Sequence, residues 1–322
     1  MIDPPRSAVA TAGRRGLGRT RSPPLAEKDP HVVQELNRWL PRGSGALCFI
    51  APYQPEQFSP SKVQFASIGF ADELEVEDAI EALTTAGVSK LCLLVNSLGG
   101  GVSSSFKIAR AIRDSFRDIT VFVPHIAASG GTLLALTGNR IVMGPLSHLS
   151  PIDVQLERNG IQVSVNAMVR SLSALNELFS KTAEDDAPFP LKAMANKLDP
   201  VEFQEWVDAA NLMQAHAEAI LASNPSFRDR APGIVEHLTE HLPTHDYSIT
   251  FAEAGQILGS EFVLSPWDPR VRDQWPVMKR WFRHYVRSGS GVHIVKYHVP
   301  DGRNRGRGSS GRTKKGGRGS GR

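Results

Sequence analysis

Residues 90–144 read KLCLLVNSLGGGVSSSFKIARAIRDSFRDITVFVPHIAASGGTLLALTGNRIVMG. Lys90–Asn96 is apolar throughout its interior and has strand length, the composition of a strand covered on both faces. It runs into the turn Ser97-Leu98-Gly99-Gly100-Gly101. Beyond it Val102, Phe106, Ala109, Ile112 and Phe116 recur at spacings of three to four, which puts them on one side of a helix. Ile119–Pro124 is a second apolar strand, followed by the small-residue turn HIAASGGT and a third strand at Asn139–Gly144. A repeated strand-turn-helix unit predicts an α/β fold with a largely parallel sheet.

Working outward, Leu47–Tyr53 and Gln64–Phe70 are expected as strands, and a helix follows with Leu74, Val76, Ile80 and Leu83 on one side. After Gln155 the pattern turns mostly helical, over about 163–183, 199–222 and 228–241. A final helix opens at Thr250, with Glu253 at the capping-box position. No internal repeat is seen. The expected organisation is a disordered basic segment at 1–30, a folded domain at 31–265, an extension at 266–300 and a disordered Gly/Arg-rich tail at 301–322.

The chain has 322 residues, and a hydrophobic share of 41% is enough for a buried core. No stretch reaches the roughly 18 consecutive apolar residues of a membrane span. Arg14-Arg15 is not followed by an apolar region, so no secretory or twin-arginine signal is expected and the default location is the cytoplasm. Cys48 and Cys92 both lie in strand-like apolar runs, which suits reduced core thiols. The net charge of +4 is uneven: residues 301–322 carry +7 and residues 1–30 carry +3, leaving the body at −6. The tail is a candidate contact for nucleic acid or another polyanion, with a solubilising role as the equal alternative; it has no aromatic residue to stack on bases.

Two successive strand-to-helix turns hold the residues that could do chemistry. The three glycines 99–101 leave amide N–H groups uncovered at a helix start, and Ser129 precedes Gly130-Gly131 at the next. A nucleophilic serine needs a sharp turn exposing its hydroxyl and amide donors aimed at the developing oxyanion. Glycine turns of this kind also bind phosphates or merely allow tight packing. There is no phosphate-loop or dinucleotide-binding signature and no cysteine or histidine set with metal spacing, so no cofactor and no metal is expected.

The segment Leu93–Gln155 (LLVNSLGGGVSSSFKIARAI, then VFVPHIAASGGTLLALTGNRIVMGPLSHLSPIDVQ) resembles the Clp-protease/crotonase superfamily. Within that superfamily it is most similar to the serine dehydrogenase proteinase family, related to signal peptide peptidase A. Those proteins show P-G-G after the strand, then V-x-x-x-A-x-S-G-G-T, then a stretch like G-P-I-D-P-Q; Thr244–Gly259 (THDYSITFAEAGQILG) is similar to their H-D-Y-P-I-T segment. The resemblance implies a repeated β-β-α superhelix with a helical C-terminal part that packs in a homo-oligomer. It implies Ser129 as nucleophile, the amides of Gly100 and Gly130 as oxyanion donors, and Asp153 and Gln155 at the D-P-Q stretch. Leu98 replaces the usual proline, Ser150 a glycine and Val154 the second proline, the last two altering the floor of the substrate groove.

The general base is left open between a lysine (Lys181, Lys192 or Lys197) and His245 in the HDY segment, with His148 a few residues before the place of the Clp-type histidine. For each of these, an exposed lysine or a turn-satisfying histidine is the plainer role. Asp246 adjoins His245 but, as its chain neighbour, is not placed to orient it. The implied reaction is hydrolysis of a peptide or protein substrate through an acyl-enzyme. The alternatives are an acyl-CoA enzyme using the same glycine turns, or a catalytically silent scaffold contacting polyanions through its tail.

Overall fold

The computed structural model describes residues 30–52, 66–158, 161–180, 186, 199–286 and 293–299. Lys181, Lys192, Lys197 and both basic tails lie outside them. The element order begins with α1 (Pro30–Trp39), β1 (Ser44–Ile50), α2 (Phe70–Thr85), β2 (Lys90–Asn96), α3 (Val102–Ser115), β3 (Asp118–Val123) and β4 (Ile126–Ala127). It continues through α4 (Gly130–Ala135), β5 (Arg140–Met143), β6 (His148–Leu149), the pair β7 (Gln155–Arg158) and β8 (Ile161–Ser164), and α5 (Val165–Ser180). Then come α6 (Pro200–Ala222), α7 (Ala231–Glu240), α8 (Phe251–Leu258), β9 (Val263–Leu264), α9 (Trp275–Tyr285) and β10 (Ile294–His298).

Six strands form one sheet in the order β10-β1-β2-β3-β5-β9. All pairs are parallel except β1 with the edge strand β10. β2 sits inside the sheet, its Leu91 opposite Gly45 on one side and Ile119 on the other. Its apolar run follows from this position, because each side chain meets a covered face. The two faces separate by residue parity, as a two-residue period requires. Leu47, Phe49, Leu91, Leu93, Val95, Val121 and Ile141 belong to the core shared with α2, α3, α4 and the later helices. Ala46, Cys48, Ile50, Cys92, Leu94, Phe122 and Val142 belong to a second core closed by α1 and α9. Both cysteines are buried and free, and burial pushes the Cys92 thiol up to about 12, which suits inert core packing.

Four local expectations need correction. In the Gln64–Phe70 segment, Ile68 makes one isolated bridge to Gly100 and Phe70 already opens α2. Leu74 is exposed on α2, while Asp72 joins Val76, Ala79 and Leu83 on the buried side. After Gln155 the chain forms the antiparallel pair β7–β8 before α5 begins; the Asn159-Gly160 pair between two short runs is a hairpin signal that the helical periodicity further on obscures. The capping box of Thr250 and Glu253 forms as expected, but α8 is not the final helix. The 266–300 region supplies α9 over one sheet face and β10 at one sheet edge.

Trp281 on α9 is fully buried in the second core, and its indole N–H meets no acceptor among the described residues. Trp281→Ala is expected to lower unfolding free energy by about 3–5 kcal/mol, as for large aromatic truncations elsewhere. Trp281→Phe is expected to cost clearly less, because it keeps a ring and gives up no hydrogen bond. Denaturant titration of the two variants measures both.

Candidate active site

The strand β2 hands over to its turn through a parallel bridge. The Ser97 N–H donates to the Ile126 carbonyl at 3.0 Å, and the Ala128 N–H donates to the Ser97 carbonyl at 2.9 Å. Gly99 and Gly100 then take φ values of +96° and +155°, a region that side chains resist. Ile68 clamps the bend from outside: its N–H donates to the Gly99 carbonyl at 2.9 Å, and its carbonyl accepts the Gly101 N–H at 2.8 Å. This pairing passes over Gly100, whose N–H has no acceptor among the described residues.

The second turn carries Ser129, the sole non-glycine residue with positive φ among the described residues, at φ 50° and ψ −115°. Holding a residue there costs on the order of 1–3 kcal/mol, so the surroundings must over-determine it. The Ser129 N–H donates to Ser150 Oγ at 2.9 Å. Thr132 Oγ1 lies 2.7 Å from the Ala127 carbonyl and 2.8 Å from the Ser150 carbonyl, and accepts the Ser150 N–H at 3.2 Å. The Gly131 N–H closes on the Ala128 carbonyl at 2.7 Å, whereas the Gly130 N–H, at the start of α4, is left without an acceptor among the described residues. Ser150, which departs from the related motif, is thus the residue that takes up the Ser129 amide.

The turns touch. A Cβ at Gly99 would stand 2.7 Å from the Ala128 carbonyl oxygen, 2.8 Å from Gly130 N and 2.9 Å from Ser129 Cβ; one at Gly130 would stand 3.4 Å from Gly100 N. The two unpaired amides and the serine therefore occupy one small region at the carboxyl end of the sheet. Such an arrangement can present two N–H donors to an oxygen acquiring negative charge.

Ser129 is 8% exposed, and no hydrogen bond engages its hydroxyl among the described residues. Of the candidate bases, His245 is described and is brought to Asp153, with Nδ1 4.0 Å from Oδ2, an ion-pair approach longer than a hydrogen bond. Burial pushes the Asp153 carboxyl up, opposed by the Ser164 hydroxyl, the charge of His245, the Asn166 backbone and the charge of Arg170. Asp153 and Arg170 also line a cavity of about 310 Å³ between α5, α6 and α7. His148 stands edge-on to His125 with ring centroids 6.2 Å apart, and burial pushes its pKa down. His216 stacks on Phe106 at 3.8 Å. Among the described residues no group of three or more His, Cys, Asp or Glu side chains converges, and no helix is long and apolar enough to cross a membrane.

The glycine requirement differs sharply between neighbours. An added Cβ at Gly100 would lie 2.1 Å from Ile68 N and 2.6 Å from its carbonyl oxygen, whereas one at Gly101, where φ is −54°, meets the Ile68 carbonyl at 3.3 Å. Gly100→Ala is expected to cost more than the roughly 1–3 kcal/mol of a strained backbone position, and Gly101→Ala only a small fraction of that. Thermal melts of the pair would show it, and equal melting temperatures would count against the geometry.

Comparison with known proteins bears on this geometry. A family model described as ClpP-like SDH-type serine proteinase matches residues 63–183, which contain both turns. An uncharacterized protein of Methanocaldococcus jannaschii is 28% identical over 224 residues, 69% of each chain. Among solved structures, a membrane-bound stomatin-specific protease aligns at 17% identity and a TM-score of 0.41, covering 67% of this chain and 79% of the other. ClpP1 from Listeria monocytogenes aligns at 11% identity and a TM-score of 0.38, covering 72% and 95%. The stretch of this chain that is similar to the ClpP-like SDH-type serine proteinase family is thus the one that places Ser129 at its bend with the two free glycine amides beside it.

Proposed function

We propose that the protein cleaves peptide bonds through an acyl-enzyme on Ser129, with the amides of Gly100 and Gly130 holding the oxyanion and His245, oriented by Asp153, as the base. The observation that carries this reading is the contact of the strained Ser129 turn with two amides that no protein acceptor uses. Strain of this kind persists where the surroundings enforce it and clusters at reactive positions.

The steps follow from the groups present. The Ser129 hydroxyl attacks the scissile carbonyl carbon while its proton passes to His245 Nε2. The carbonyl oxygen takes the negative charge and receives the Gly100 and Gly130 N–H donors. The C–N bond breaks as the leaving amine takes that proton, and water then repeats the sequence to release the acid and restore the serine. Asp153 faces Nδ1, which favours the tautomer with its proton there and frees Nε2 to accept. The HDY segment is anchored beside the nucleophile: Ile249, four residues after His245, exchanges backbone hydrogen bonds with Leu149, and the next residue, Ser150, holds the Ser129 amide. That anchorage supports His245 as the base.

A fluorophosphonate probe tests the nucleophile and the base separately. The intact chain is expected to label and Ser129→Ala to fall to background; equal labelling would remove the nucleophile assignment. His245→Ala is expected to slow labelling by about 10²–10⁴-fold, the span of general-base contributions. Lys181→Ala, Lys192→Ala and Lys197→Ala are expected to label nearly as the intact chain does. Abolished labelling in one of those three, with His245→Ala active, would give the base role to that lysine.

A further inference from the structure

Behind the glycine turn lies a buried chain of polar groups that the proposed reaction does not use. Ser97 Oγ accepts the Gly99 N–H at 3.1 Å and lies 2.9 Å from His293 Nε2. His293 Nδ1 has no hydrogen-bond partner among the described residues; its nearest opposite charge is Asp72 Oδ2 at 3.4 Å. That same oxygen accepts the Gly69 N–H at 2.8 Å, one residue beyond the Ile68 clamp on Gly99 and Gly101. The His293 side chain is fully buried, and Ser97 is 0% exposed. No substrate reaches this serine, so the Ser97–His293–Asp72 line is not a second nucleophile site, although its residue types would suit one.

We propose that His293, delivered by the strand β10, is a positioning residue for the oxyanion turn, and this inference rests on the hydrolase reading above. With the ring proton on Nδ1 towards Asp72, Nε2 accepts the Ser97 hydroxyl proton and leaves a Ser97 lone pair for the Gly99 N–H. The Gly99 amide is thereby committed inward, and the next amide, Gly100, is the one presented to substrate. Three segments distant in sequence meet here: Ile68–Asp72, the turn 97–101 and His293 just before β10. Phe49 of β1 backs the imidazole, ring centroids 4.5 Å apart. The arrangement couples closure of the sheet edge to alignment of the oxyanion donor, since β10 pairs with β1 from Ile294 onward, one residue past His293.

The test uses the full chain and separates probe binding from the phosphonylation step at Ser129. His293→Ala is expected to slow that step by about tenfold or more, short of the 10²–10³ of losing an oxyanion donor outright, with half-saturation by the probe unchanged. Ser97→Ala is expected to do the same, and the double variant to add nothing, as for groups acting in one chain. His293→Gln, whose amide reaches the place of Nε2, restores the rate, and His293→Asn, too short to reach it, does not. His293→Ala labelling as fast as the intact chain, or Gln and Asn labelling equally, would overturn the proposal; the Gln and Asn pair carries the test where the Ala variant fails to fold. Amide hydrogen exchange over residues 97–101 gives a readout independent of hydrolysis. Faster exchange in the Asn than in the Gln variant supports the hold on the turn even where Ser129 does not label, and equal exchange refutes it.

Discussion

Two backbone bends meet at the carboxyl end of the parallel sheet because residue 99 has no side chain, and Ile68 can clamp the first bend because residue 100 has none. A methyl group at Gly99 would overlap the Ala128 carbonyl and the Gly130 amide, and one at Gly100 would overlap Ile68. Removing those atoms lets one turn lie directly against the other, and it leaves amide hydrogens facing the gap where side chains would otherwise crowd. The closeness of Ser129 to the free N–H groups follows from this contact.

Such closeness is costly, and the costs are met by neighbouring polar groups. Ser129 is held in an unfavourable backbone region by Ser150 and Thr132, which tie its loop to the strand pair β4–β6. Ser150 has a double effect. It satisfies the Ser129 amide in a buried place, where an unpaired N–H is expensive, and the Gly130 amide remains the free donor on that side.

The C-terminal residues act on the site from behind the sheet. The helix α9 seals the face opposite the site with Trp275, Met278 and Trp281, and β10 pairs with β1 along its length. Through His293, just before it, this edge strand reaches Ser97, the first residue of the glycine turn. A segment placed last in the chain therefore completes both a hydrophobic layer and a polar support, two tasks that the central strand-turn-helix repeats leave undone.

Local patterns were sufficient for the central strands, for α3, for the capped start of α8 and for Ser129 with its glycines, because each depends on residues within one turn or one strand of each other. The apolar run of β2, the three-to-four spacing after Gly101 and the Thr250–Glu253 pair carry their own physical reasons in sequence. Other features had no such signal. Asp72 looks like a surface acid on α2 until packing turns it inward, and His293 lies 196 residues from its partner Ser97. His245 and Asp246 are neighbours in the chain, yet the fold pairs His245 with Asp153. What the chain alone determined was the period of each element and the chemistry of each turn; tertiary structure chose which distant polar groups share a buried space, since that choice depends on strand order and helix packing rather than on spacing along the backbone.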